Sequence, residues 1–165
     1  MTRRKILWAP WRLRYVQRTR EEGCVFCKVR DEAQDPENLI LFRGDATFAI
    51  LNRFPYNTGH LMVIPNRHVS DPEELSPDEA REVWSLLVRA KRALGAVFRP
   101  HGYNVGLNIG VAAGAGIADH LHLHVVPRWT GDTNFMPVLG STDIISQDLR
   151  ATYEALRPSF VALEP

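Results

Sequence analysis

The stretch His120-Leu121-His122-Leu123-His124-Val125-Val126-Pro127 alternates imidazole and aliphatic side chains with a period of two. In an extended chain this alternation sends the three imidazoles to one face and Leu121, Leu123 and Val125 to the other. It therefore predicts a strand over 120–126 with its aliphatic face in the core and three histidines on one open face. The protein has six histidines, and half of them on alternate positions of five residues points to chemistry rather than to a solvent face. Two chemistries compete for that face. Imidazoles at alternate strand positions can converge on one zinc with a position left for water. Alternatively, one imidazole attacks phosphorus while its neighbours bind phosphate oxygens and manage protons, a role suited to a side chain with an ordinary pKa of roughly 6.5.

The segment leading into the strand, Gly110 to Gly116, is rich in glycine and alanine. Glycines there let backbone N–H groups approach an anion closely, which favours the phosphorus chemistry. Tyr103 to Ile109 reads as the strand before this segment. Further upstream, Leu39 to Phe42, Thr47 to Leu51 and His60 to Ile64 read as three antiparallel strands, broken at Arg43-Gly44-Asp45 and at Pro55 to Gly59. Ser76-Pro77-Asp78-Glu79 carries a helix cap, a proline at the first helical position and an acid at the third. Val83, Leu87, Ala90, Leu94 and Val97 follow at steps of three and four up to Pro100. The expected architecture is α+β: an antiparallel sheet of about five strands with one long helix.

At 165 residues, 45% hydrophobic and 24% charged, the chain has the size and balance of one globular core. We divide it into a basic arm (1–22), a catalytic domain (23–135) and a C-terminal extension packed on that domain (136–165). Lys and Arg total 20 against 19 Asp and Glu, so net charge gives no argument for a nucleic-acid or membrane partner. The arm is the exception, with Arg3, Arg4, Lys5, Arg12, Arg14, Arg18 and Arg20, and Trp8 and Trp11 among them. No apolar run reaches the length of a membrane span, and the basic start lacks the apolar core of a secretory signal, so the expected location is cytoplasmic. The only two cysteines, Cys24 and Cys27, would close too short a loop for a useful disulfide. Their spacing suits half of a tetrahedral zinc site.

Together, His120-x-His122-x-His124 followed by apolar residues and the upstream Asn52-Arg53-Phe54-Pro55…Gly59-His60 resemble the histidine triad (HIT) family, in its bacterial branch acting on diadenosine tetraphosphate. The resemblance spans roughly 24–130. It implies that His122 is the nucleophile, forming a nucleotidyl-histidine that water or phosphate releases, and that His124 and His60 assist it. Asn52, Asn108, Gly114, Gly116 and Trp129 would flank the nucleotide, with His122 and His124 on its phosphate. Trp129, Asn134 and Phe135 match the bacterial members. Where many members carry a glutamine four residues before the first histidine, this chain has Gly116, which leaves the leaving-group contact open. Family members with the same Cys-x-x-Cys hold a structural zinc with histidines at the positions of His68 and His120. The resemblance also implies a homodimer and no organic cofactor. The competing readings are a hydrolase of phosphoramidate or acyl adducts of AMP, a hydrolase with metal at the triad itself, and a zinc-containing nucleic-acid-binding module using the arm.

Overall fold

The computed structural model describes residues 23–132 and 147–162. The arm, Asn134, Phe135 and the apolar residues Leu139, Ile144 and Ile145 lie outside them. Five strands, β1 (Ile40–Arg43), β2 (Thr47–Leu51), β3 (Leu61–Pro65), β4 (Gly102–Leu107) and β5 (Leu123–Arg128), form one sheet in the order β1-β2-β3-β5-β4. Every neighbouring pair is antiparallel. The long helix α3 (Pro77–Phe98) carries the chain from β3 across to the far edge, which leaves the slot between β3 and β4 for the histidine strand. Among the described residues no helix is long and apolar enough to cross a membrane.

The helix limits are set locally. Ser76 Oγ accepts from the Glu79 amide at 3.2 Å while Glu79 Oε2 accepts from the Ser76 amide at 2.7 Å, a reciprocal cap. The helix stops at Arg99, which takes a left-handed conformation at φ 48° just before Pro100. Leu86, Leu87, Ala90, Ala93 and Leu94 bury against the sheet face made by Leu41, Ala49, Leu51, Leu61, Val63 and Val125. A second helix, α4 (Leu149–Ala162), joins this cluster through Tyr153, Leu156 and Phe160. The one long helix expected is α3, and α4 falls in the C-terminal extension, where Leu149, Tyr153 and Leu156 read as part of a helix in the sequence.

Strands β2 and β3 are buried at every position, because the opposite sheet face is also covered. There Phe48, Ile50, Met62 and Ile64 pack under Phe26 and Val29 of a short helix, α1 (Val25–Asp31). Neither α1 nor α2 (Asp35–Asn38) was legible in the sequence: at seven and four residues, both are too short for hydrophobic periodicity to be read. Arg43 caps the C-terminal end of α1, donating from Nη1 to Arg30 O at 2.5 Å and from Nη2 to Val29 O at 3.3 Å and Glu32 O at 2.9 Å.

Of the strands, only β2 keeps both expected limits, and two of the shifted boundaries have a visible cause. The first strand begins at Ile40 because Leu39 is left-handed at φ 63°, closing α2. The histidine strand begins at Leu123, not His120. In register, Val63 faces Leu123, so Leu121 would come next to Pro65, which has no N–H to offer. The Leu121 amide instead donates to Val69 O at 2.6 Å, so the first two histidines lie on an extended lead-in.

Two amides of the turn between β1 and β2 converge on one carboxylate, while Asn66 bonds the Asp45 and Ala46 carbonyls. Glu82 of α3 accepts from the amides of Ala46 and Thr47 at 3.0 Å and from the Thr47 hydroxyl at 2.8 Å. Glu82→Ala leaves these donors unmatched beside fully buried Thr47 and is expected to cost roughly 2–3 kcal/mol in urea unfolding. A loss under about 0.5 kcal/mol would mean that water satisfies the turn equally well.

Candidate active site

The histidine face is covered rather than open. His120 and His122 are 1% and 6% exposed, and the Phe26 ring of α1 lies against both, at centroid distances of 5.5 and 5.3 Å. The expectation of an open face fails because an alternating pattern says which side chains share a face, not what covers it.

Backbone groups assign the imidazole protons. His122 Nδ1 lies 2.8 Å from His120 O, an acceptor only, so Nδ1 carries the proton and Nε2 keeps a free lone pair. His60, entirely buried, receives the Tyr56 amide on Nδ1 at 3.0 Å, which puts its own proton on Nε2. That nitrogen is 2.9 Å from His124 Nδ1, so it donates there, and neutral His124 carries its proton on Nε2. His124 Nε2 is buried and has no hydrogen-bond partner among the described residues. The rings of His122 and His124 are 4.9 Å apart. An unshared lone pair and an unshared N–H donor thus stand side by side, which suits attack on a group whose oxygens need a donor.

Burial keeps this cluster neutral. Desolvation, with the neighbouring imidazoles adding to it, lowers His60 to about 3 and His124 to about 4, and desolvation also lowers His122. In the unfolded chain a histidine titrates near 6.5, so below that pH the unfolded state takes up protons the folded state refuses. Stability should be full above about pH 6.5 and fall as pH drops toward 4 and then 3. Unfolding midpoints measured from pH 7 to pH 4 check this, and His60→Phe should flatten the profile. A midpoint rising on acidification would contradict it.

Cys24, Cys27, His68 and His120 form a separate cluster whose ligand atoms all lie within 4.8 Å of one another. His120 Nδ1 is 3.2 Å from Cys24 Sγ and 3.6 Å from Cys27 Sγ, and His68 Nδ1 is 3.4 Å from Cys27 Sγ. A tetrahedral zinc with ordinary Zn–S and Zn–N bonds sets sulfur and nitrogen about 3.5 Å apart, so the spacing fits. His120 Nε2 is 2.9 Å from Pro65 O and so holds the ring proton, which frees Nδ1 as a ligand.

The HIT domain sequence profile matches residues 32–131. The AP-4-A phosphorylase of Mycobacterium tuberculosis is 43% identical over 159 residues, covering 91% of this chain and 81% of that protein. This chain belongs to the HIT family. Another relative, the adenosine 5'-monophosphoramidase of Schizosaccharomyces pombe, is 31% identical over 64% of this chain and 74% of its own. Among solved structures, a zinc-bound histidine triad family protein from Mycobacterium smegmatis superposes with a TM-score of 0.68 at 27% identity, covering 84% of this chain and 94% of that one.

The other positions expected of a HIT nucleotide site are placed unevenly. Asn52 Oδ1 accepts the Phe54 amide at 2.9 Å, a turn-forming role, while its Nδ2 lies 3.4 Å from His60 Nδ1. Asn108 follows β4, and Gly114 closes a 3-10 turn at φ 86°. Gly116 is exposed on the same segment. Trp129 is committed elsewhere, donating from Nε1 to Phe98 O at 3.3 Å at the end of α3. Two neighbours of the histidines were not anticipated. Phe26 is one of the two apolar residues inside the Cys-x-x-Cys, a usable signal only once that helix is known to cover the sheet. Tyr56, 59% exposed, lays its ring 4.6 Å from His60.

Proposed function

We propose that this chain cleaves dinucleoside polyphosphates, diadenosine tetraphosphate foremost, through a covalent nucleotidyl intermediate on His122, which phosphate or water then resolves. The observation that carries it is the pairing of the free His122 Nε2 with the unpartnered His124 Nε2–H. His122 Nε2 attacks the α-phosphorus, and the bond to the polyphosphate leaving group breaks. His124 donates to a phosphate oxygen or to the leaving oxygen, and His60 holds it in the donating tautomer. Asn52 is assigned to the ribose, and Asn108, Gly114 and Gly116 to the phosphates, on the family resemblance. Trp129 is kept only as support for that rim, since its N–H is already used.

Phosphorolysis is the preferred second step, supported by the 43% identity to a phosphorylase over nearly the whole chain. Purified protein is incubated with diadenosine tetraphosphate, with and without inorganic phosphate. Phosphate-dependent appearance of ADP with ATP supports phosphorolysis, whereas AMP with ATP at equal rate without phosphate means hydrolysis. Inertness here, with turnover of an AMP phosphoramidate, would transfer the same histidine chemistry to the monophosphoramidase-like reading.

We assign Cys24, Cys27, His68 and His120 to a structural zinc. All four positions are filled by protein, so the ion supplies a cross-link and leaves no position for water or substrate. That separates His120 from the chemistry of His122 and His124. The reduced cysteine pair suits a cytoplasmic protein. We further read 23–135 as the catalytic domain with 136–165 packed on it, and the protein as a homodimer. Strand β4 pairs on one side only within the described sheet, with Val105 exposed on it and Trp84 67% exposed on α3. Sedimentation of wild type against Trp84→Glu tests the dimer, the variant being expected to sediment as a monomer.

A further inference from the structure

The loop from Arg53 to Gly59 delivers the Tyr56 amide to His60, yet it lies outside the sheet ladder. Within the loop, the His60 amide donates to Asn57 O at 3.1 Å and the Thr58 amide to Asn57 Oδ1 at 3.0 Å. From outside, Arg53 Nη2 at the start of the loop donates to Glu37 O at 3.3 Å and Asn38 Oδ1 at 3.4 Å, and next to Tyr56 the anchor is the Asn57 side chain, whose Nδ2 donates to Asp132 Oδ2 at 2.9 Å and to Pro127 O at 3.3 Å. Asp132 is itself immobilised, accepting from Arg128 Nε at 2.7 Å and Nη2 at 2.8 Å and from the Trp129 amide at 3.1 Å. Arg128 also donates to Asn104 Oδ1 of β4 at 2.7 Å. The carboxylate is 11% exposed, so its bond to Asn57 is partly shielded from water, while the Arg128 side chain that holds it is 42% exposed.

We propose that Asp132, acting through Asn57, is a positioning residue for the His60–His124 pair: it clamps the loop to the end of the histidine strand so that the Tyr56 amide stays on His60 Nδ1. This rests on the reading of His124 as the proton-bearing partner of His122. The tautomers of the pair are linked. With the amide in place, the order is Tyr56 N–H to His60 Nδ1, His60 Nε2–H to His124 Nδ1, and a proton on His124 Nε2. If the loop drifts away, only the longer 3.4 Å contact from Asn52 Nδ2 still faces His60 Nδ1, and His60 can take the Nδ1–H form. Its Nε2 then accepts from His124 Nδ1–H, and His124 Nε2 becomes a bare lone pair. A lone pair repels a phosphate oxygen where an N–H would hold it, so a displacement at Asn57 inverts the donor at the reacting centre.

The test uses ring nitrogen chemical shifts, which distinguish the two neutral tautomers, in wild type, Asn57→Ala and Asp132→Asn at neutral pH. Asn57→Ala leaves the Arg128–Asp132 pair intact, so it keeps the test usable where Asp132→Asn fails to fold. Wild type is expected to show His60 solely as the Nε2–H form. The folded variants are expected to show both forms, with kcat for diadenosine tetraphosphate lowered about tenfold and KM within about twofold. Variants that retain the single Nε2–H form, or that mix tautomers with kcat unchanged, would overturn the proposal. Because the shifts are read without substrate, a wild-type protein inert on this substrate would refute the proposed function while the positioning role is still decided.

Discussion

His122→Ala is expected to lower kcat on diadenosine tetraphosphate by about 10⁴- to 10⁶-fold while KM stays within a few-fold. The nucleophile is lost outright, and no neighbour can replace it. His124 Nδ1 is bonded to His60 and its Nε2 carries a proton, while His120 Nδ1 faces two thiols. His124→Gln should be milder, about 10²- to 10³-fold, because it removes a donor and leaves the covalent route intact. Steady-state kinetics give both numbers, and mass spectrometry of acid-quenched wild type should find a nucleotidyl adduct on the peptide containing His122. Residual activity above about one per cent in His122→Ala would refute covalent catalysis by this residue.

The second large effect is on stability. Removing zinc with a strong chelator, or replacing Cys27 by serine, should lower the melting temperature by roughly 10 °C and abolish stoichiometric metal. Helix α1 has seven residues and no side-chain cap at its start, so it cannot hold its place over Phe48, Ile50, Met62 and Ile64 by helix propensity alone. The proposed four-ligand cross-link would join residues 41, 93 and 96 positions apart. Closing loops of that length restricts the unfolded chain by about 4 kcal/mol, and each kcal/mol shifts melting by roughly 2–4 °C in a chain of this size. Calorimetry with and without chelator, alongside elemental analysis, is the check. A metal-free protein melting within about 2 °C of the untreated one would show that α1 needs no staple. Catalysis should persist in the chelated protein below its melting temperature, which separates a structural ion from a metal at the triad.

Local physics was legible in advance. The β2 limits, Thr47 and Leu51, follow from alternation and flanking turn residues, and the limits of α3 from Ser76, Pro77, Glu79 and Pro100, all within a few residues of what they control. The period of two in 120–126 placed the histidines together, and the resemblance built on it named the family. What the alternation could not say is that Phe26 lies over His120 and His122, since Phe26 is 94 residues away from His120 in a helix too short to leave a pattern. The proton positions were likewise out of reach. They depend on a Tyr56 amide, a His120 carbonyl and a Pro65 carbonyl, and backbone groups are the same in every sequence. The sequence by itself determined the five strands, the long helix, the three imidazoles and the candidate zinc ligands. Tertiary structure alone decided which ring nitrogen keeps a lone pair, which carries a proton and which faces the thiols, because those identities are set by contacts between segments that the chain brings together only when folded.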